Sequence, residues 1–168
     1  MILTFYGKGK GKTSAALGLA LRASGHGKKV LFCQFIKGDW KTGEDAALKK
    51  VKGITHRKCG IGFVLPSDSE KKRREHKRTN NDGLRFIDKN LAKYDLVVLD
   101  EVLYAIKLGL LDIDEVIAVV KKSKKTDFVL TGRYRFKKII DVSDLVSEII
   151  KVKHPFDSGK KAKKGIDW

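Results

Sequence analysis

Near its start the chain carries Gly7-Lys8-Gly9-Lys10-Gly11-Lys12-Thr13, followed by Ser14. These residue types at this spacing suit the holding of a polyphosphate. Alternating glycines let successive backbone N–H groups turn toward one anion. Lys12 offers a cation to phosphate oxygens, and Thr13 offers a hydroxyl to Mg²⁺. The usual P-loop places four residues between its first glycine and the glycine of Gly-Lys-Thr. Here only three separate Gly7 from Gly11, because Tyr6 stands where the usual first glycine belongs. The loop is therefore one residue tighter, and is expected to hold a chain of phosphates differently. A glycine-rich turn that binds nothing is the bland alternative; the segments on either side argue against it.

Such a loop works between a strand and a helix. The apolar run 2–6 predicts the strand. The pattern over 13–24 predicts the helix, with Ala16, Leu17, Ala20, Leu21 and Ala23 on one face and Gly25-His26-Gly27 closing it. Its positive dipole end would face the same anion. A second half of the site follows Leu96-Val97-Val98-Leu99, where Asp100 and Glu101 end an apolar strand. Ligands gather at the carboxyl edge of parallel strands. A Mg²⁺-chelated phosphate needs a carboxylate on the strand neighbouring the loop, directly or through water. Asp100 and Glu101 fit that need; capping of the next helix is their other reading. Thr131-Gly132-Arg133 ends another strand, which directs Arg133 to the same edge for bidentate contact with a terminal phosphate, unless it is a surface arginine in a turn.

The remaining elements position these pieces. Strands are expected at 28–35, 55–58, 95–99, 127–131 and 145–152, and helices at 44–50, 69–91 and 112–122. Residues 37–44 and 59–69 read as loops. Strands alternating with helices imply a single α/β domain of the P-loop, RecA-like kind, its sheet mostly parallel and covered by helices on both faces. The domain spans 1–152, and 153–168 reads as a polar tail packing near the active site. At 168 residues and 42% apolar content the chain can bury a core. No apolar run is long enough to span a membrane, and the start reads as a strand rather than a signal peptide, so a cytoplasmic protein is expected. Cys33 and Cys59 have no metal-type spacing. The net charge of +17 favours anionic partners. Its lysines are spread as pairs, which suits a solvated surface better than a nucleic-acid patch, and Lys71-Lys72-Arg73-Arg74 reads as a solvated helix face.

The whole pattern resembles the P-loop type ATP:corrinoid adenosyltransferases. The resemblance covers nearly the entire chain. It rests on the 7–13 loop with Ala15-Ala16-Leu17-Gly18, on Gln34-Phe35-Ile36-Lys37-Gly38, Thr42-Gly43-Glu44 and Gly60-Ile61-Gly62-Phe63, on Asp95–Glu101 and Leu130–Arg133, and on Val152-Lys153-His154-Pro155-Phe156-Asp157 with Gly165-Ile166-Asp167. It implies attack by cobalt(I) of a reduced corrinoid on the ribose 5′ carbon of ATP. Triphosphate leaves and adenosylcobalamin forms, with ATP lying in the reverse of the usual P-loop sense. It implies Mg²⁺ (or Mn²⁺) on Thr13, Asp100 and Glu101. Catalysis then falls to Lys12, Thr13, Glu101 and Arg133, and nucleotide binding to residues 7–14, with Lys8 and Lys10 adding charge beside it. Phe63 and Leu65 would face the corrinoid. Two residues depart from the family: Leu65 stands where a tryptophan is common, and Lys8 where asparagine is. Many relatives carry an N-terminal extension over the site, so a lid is expected from the 153–168 tail or a second subunit. A homodimer and an acidic flavoprotein reductant are further implications. The residues by themselves also accommodate a RecA-like ATPase on nucleic acid or a small-molecule kinase; the tight loop, the His154–Asp157 tail and the scarcity of aromatic residues weigh against both.

Overall fold

Three segments carry apolar runs of three or four residues, 30–33, 96–99 and 128–130, and they form the middle of the sheet. The computed structural model describes residues 1–38 and 41–166; Asp39 and Trp40 of the expected loop, and Asp167 and Trp168 of the tail, lie outside the described residues. The strands are β1 (Ile2–Tyr6), β2 (Val30–Gln34), β3 (Ile54–Lys58), β4 (Leu96–Asp100), β5 (Asp127–Gly132) and β6 (Leu145–Glu148). They pair in the order β3-β2-β4-β5-β1-β6, all parallel. The helices are α1 (Lys12–Gly25), α2 (Gly43–Leu48), α3 (Glu70–Asn90), α4 (Val102–Lys107), α5 (Ile113–Lys122) and α6 (Lys137–Val142).

Successive side chains of a strand point to opposite faces, and here each face meets its own helices. Val30, Phe32, Leu96, Val98 and Val129 pack on Ala16 and Ala20 of α1. Leu31, Cys33, Val97, Leu99, Phe128 and Leu130 pack on the other face, against Leu84 and Ile87 of α3, Val102 and Leu103 of α4, Val116 and Val120 of α5 and Ile139 of α6. The result is one α/β domain with helices on both faces. Among the described residues no helix is long and apolar enough to cross a membrane.

Four features of the structure differ from what the sequence predicts. First, β4 does not neighbour β1: β5 lies between them, so Asp100 and Glu101 reach the loop across the end of a third strand. Second, α4 and α6 were not expected; each has six residues, too short for helical periodicity to show. Third, the last strand stops at Glu148, and Ile149 and Ile150 turn over the glycine loop instead of extending the sheet. Fourth, the tail is not featureless: Pro155–Ser158 is a short 3₁₀ turn, capped where His154 Nδ1 accepts from the Phe156 N–H at 3.2 Å.

Candidate active site

The glycine loop is shaped by the chain that crosses it. Gly9 N donates to Ile149 O at 2.7 Å, and Ile149 N donates to Tyr6 O at 2.7 Å. A Cβ on Gly9 would lie 2.7 Å from the carbonyl carbon and oxygen of Ile150, and one on Gly7 would collide with Ile149 O. These two glycines therefore admit the 149–150 backbone, and the Gly9 amide is committed to it rather than to an anion. Gly7 and Gly11 hold positive φ of 123° and 114°, conformations that favour glycine. Gly9→Ala should force the 149–150 segment away, lowering stability by about 1–3 kcal/mol as overpacking does; paired melts of the variant and wild type check this.

Lys12 reaches back into the loop. Its Nζ donates to Gly9 O at 2.6 Å and to Gly7 O at 2.9 Å, and the side chain is nearly buried. An ammonium has three donors, so one remains for an oxygen outside the loop. Burial pushes the Lys12 pKa below its ordinary value; the Glu101 charge opposes this and Arg133 adds to it. Lys12, Glu101 and Arg133 follow the carboxyl ends of β1, β4 and β5 and so stand at the same sheet edge, where Arg133 is exposed.

Thr13, in the first turn of α1, turns to Asp100. Its Oγ1 donates to Asp100 Oδ1 at 2.9 Å. Thr131 Oγ1, from the intervening β5, donates to the same oxygen at 2.7 Å and accepts from Glu101 N at 2.9 Å. Thr131 thus fills the gap left by the strand order, and it pins Glu101 in a left-handed conformation with φ 60°. Ile36, just past β2, is the other non-glycine residue at positive φ (68°) among the described residues. Strained backbone of this kind gathers at functional sites. Glu101 precedes α4, but its side chain makes no cap hydrogen bond, so helix capping does not explain it. Gln34 Nε2 donates to Asp100 Oδ2 at 3.2 Å. Lys37 Nζ lies 3.8 Å from that oxygen and donates to Glu44 Oε1 at 2.8 Å. Burial alone would raise Glu44; the Lys37 bond and charge, with a backbone N–H, hold it below its usual value.

Burial, then the charge of Asp100, raises the Glu101 pKa above 4.5. The folded state therefore favours the protonated acid, and stability falls as pH rises from the ordinary carboxylate range through the raised value. Glu101→Gln should melt higher than wild type at neutral pH, the gain vanishing below about pH 4.5. Melts of both proteins across pH 4–8 provide the check.

A cavity of about 570 Å³ joins Lys10, Gly11, Lys12, Thr13, Ser14, Lys37, Glu44 and Glu101 to an apolar cleft made by Leu17, Leu21, Ala47, Leu48, Val51 and Ile54, with Gly165 and Ile166 also in its lining. Gly7, Lys8, Gly9, Asp100, Arg133, Phe63 and Leu65 do not line it. Phe63 and Leu65 are 58% and 49% exposed, on a separate loop. That loop is built firmly: Leu65 N donates to Asp68 Oδ2 at 2.8 Å, and Arg73 donates to the carbonyls of Leu65, Pro66 and Asp68. Arg73, read from sequence as part of a solvated face, thus ties down the loop. Gly60 and Gly38 let the loop touch the segment after β2, their Cβ positions meeting the Ile36 and Ile61 backbones at 2.5 Å.

The parallel sheet, the Gly-Lys-Thr loop ahead of α1 and the carboxylates ending β4 define an α/β protein of the P-loop type. A family model described as "ATP:corrinoid adenosyltransferase BtuR/CobO/CobP" matches residues 1–168. The chain is 37% identical over 171 residues to a corrinoid adenosyltransferase of Escherichia coli (strain K12), covering 100% of this chain and 85% of that protein. It is 39% identical over 170 residues to corrinoid adenosyltransferase CobA of Salmonella typhimurium, covering 100% and 85%. It is 36% identical over 172 residues to a corrinoid adenosyltransferase of Pseudomonas aeruginosa, covering 100% and 83%. The chain belongs to the ATP:corrinoid adenosyltransferase family, and is a transferase of that class.

Proposed function

We propose that this enzyme transfers the 5′-deoxyadenosyl group of ATP to cobalt(I) of a reduced corrinoid, releasing triphosphate and forming adenosylcobalamin. The observation that carries the reading is the two-ended cavity, with lysine, hydroxyl and carboxylate at the loop and an apolar cleft beyond. The cobalt(I) electron pair forms the bond to C5′. The C5′–O bond breaks, and its electrons leave on the bridging oxygen of triphosphate. The nucleophile is the substrate's own metal, so no side chain must remove a proton to activate it. The protein positions the nucleotide and stabilises charge on the leaving group.

Lys12, the N-terminal amides of α1 and Arg133 would hold triphosphate oxygens, with Lys8, Lys10 and Ser14 beside them. Thr13 Oγ1 is hydrogen-bonded to the Asp100 carboxylate, and the Glu101 backbone joins them through Thr131, so three residues that carry hard oxygen donors stand together. Mg²⁺ characteristically takes one or two carboxylates plus phosphate oxygens, so these residues fit it, or Mn²⁺. Bound there, the cation would neutralise charge on the departing triphosphate. Phe63 and Leu65 form the corrinoid-facing surface, and their exposure supports contact with a large flat ligand. The tail 153–168 serves as a lid, a role supported by Gly165 and Ile166 in the cavity wall. A homodimer is supported by the exposed edge strand β6, with Leu145 and Val146 40% and 38% exposed. The charge of +17 supports an acidic flavoprotein as electron donor in a cytoplasmic setting. Family membership does not favour the RecA-like ATPase alternative.

Incubation with Mg-ATP and chemically reduced corrinoid tests the proposal. Triphosphate and an organocobalt product are expected; orthophosphate rising with single-stranded DNA would overturn it. Leu65→Trp should raise reduction-coupled turnover several-fold, roughly the gain of one well-placed aromatic contact, with a smaller gain on pre-reduced corrinoid. Parallel assays check this, and equal gains would argue against a role for residue 65 in the reduction step.

A further inference from the structure

The buried network behind Asp100 extends to a histidine with no role so far. A carboxylate only accepts hydrogen bonds. The Gln34 group facing Asp100 Oδ2 must therefore be its NH₂, 3.2 Å away. That orientation turns Gln34 Oε1 toward His56, whose Nε2 stands 2.9 Å from it. Two acceptors cannot share a bond, so Nε2 carries the proton and donates. Gln34 is fully buried and the His56 side chain is only 9% exposed, so water cannot easily replace either partner. Among the described residues Asp45 Oδ1 is the other acceptor near Nε2, at 3.8 Å, beyond hydrogen-bond reach; Lys58 Nζ at 2.7 Å and Thr42 N at 3.1 Å hold the other Asp45 oxygen, Oδ2, and keep the carboxylate turned to them. The donor of His56 is thus directed at Gln34.

We propose that His56 is a positioning residue for the divalent-cation site. Its Nε2–H fixes the Gln34 amide, the amide NH₂ fixes Asp100 Oδ2, and Asp100 Oδ1 is thereby kept turned to Thr13. Without that donor the Gln34 amide is free to rotate, bringing its oxygen against the carboxylate and displacing it from Thr13. Outer partners of this kind tune metal affinity without touching the ligand. The inference rests on the reading that Thr13, Asp100 and Glu101 hold the cation of Mg-ATP. His56 also packs edge-on against Phe32, with centroids 6.2 Å apart, so the experiment must separate positioning from packing.

His56→Leu keeps apolar volume against Phe32 and removes the donor. His56→Gln puts an amide nitrogen near the place of Nε2. Mn²⁺–ATP is titrated with each protein and read by water-proton relaxation, which changes when the cation is immobilised. Metal-free ATP affinity is measured alongside in chelator. His56→Leu should weaken Mn²⁺–ATP binding by about 10–100-fold, the range for outer-shell partners, and His56→Gln should restore most of it. Metal-free ATP affinity should not change. Adding His56→Leu to Gln34→Met should cost nothing further, because both act through one path. Equal losses for metal-bound and metal-free ATP, no loss at all, or additive losses in the double variant would overturn the positioning role. Wild-type protein that binds ATP but does not immobilise Mn²⁺ would instead overturn the cation site itself.

Discussion

Lys12→Ala should lower adenosyl transfer to pre-reduced corrinoid by at least about 10³-fold, the upper range for losing one preorganised charge-stabilising donor. The side chain is almost buried, at the loop end of the cavity, with two donors on Gly7 O and Gly9 O. Its removal takes a cation from the leaving group and frees two loop carbonyls together. The fold should survive. Burial already works against its charged form, so its replacement relieves a desolvation cost. The check is kcat/KM from the absorbance of the organocobalt product, with a melt on the same sample. A near wild-type rate would remove Lys12 from the site.

Asp100→Asn should be comparably severe, and should also destabilise the protein. Asp100 accepts from Thr13 and Thr131 on Oδ1 and from Gln34 on Oδ2. An asparagine oxygen can still serve the two threonines. Its NH₂ then faces the Gln34 NH₂, and Gln34 cannot invert without opposing His56 Nε2–H. A mismatched buried pair costs about 1–3 kcal/mol, which lowers the Tm by roughly 2–4 °C per kcal/mol for a chain of this size. The lost carboxylate charge should reduce activity by about 10²–10³-fold. Mg²⁺-dependent rates and melts check both effects. A variant that melts like wild type and responds to Mg²⁺ normally would contradict the network.

The sheet and its two covered faces were legible because β2, β4 and β5 contain short unbroken apolar runs and α1 carries an amphipathic face. The order of the strands was not. No local pattern states that β5 inserts between β1 and β4, so Thr131 passed for an ordinary strand residue although its hydroxyl organises both Asp100 and Glu101. The role of Gly7 and Gly9 was only half visible: glycine at those positions was expected for an anion, whereas the crossing backbone of Ile149 and Ile150 requires it. Contacts distant in sequence escaped for the same reason. Gln34, His56 and Asp100 come from three strands and meet only in the folded sheet. Cys33 and Cys59 have no telling spacing, yet both thiols are buried, and the neighbouring Cys59 thiol, then burial, pushes the Cys33 pKa well up. The Phe63–Leu65 loop drew notice through family resemblance alone, since nothing in its composition reveals that Arg73 and Asp68 anchor it.

The bond of ATP that breaks distinguishes adenosyl transfer from phosphoryl transfer. ATP carrying oxygen-18 at the 5′ bridging position, turned over once with chemically reduced corrinoid, gives the answer by mass spectrometry of both products. Cobalt attack on C5′ predicts that all of the label departs in intact triphosphate and none stays with the nucleoside. Label retained on adenosine, or polyphosphate recovered as shorter fragments from a single turnover, would contradict it.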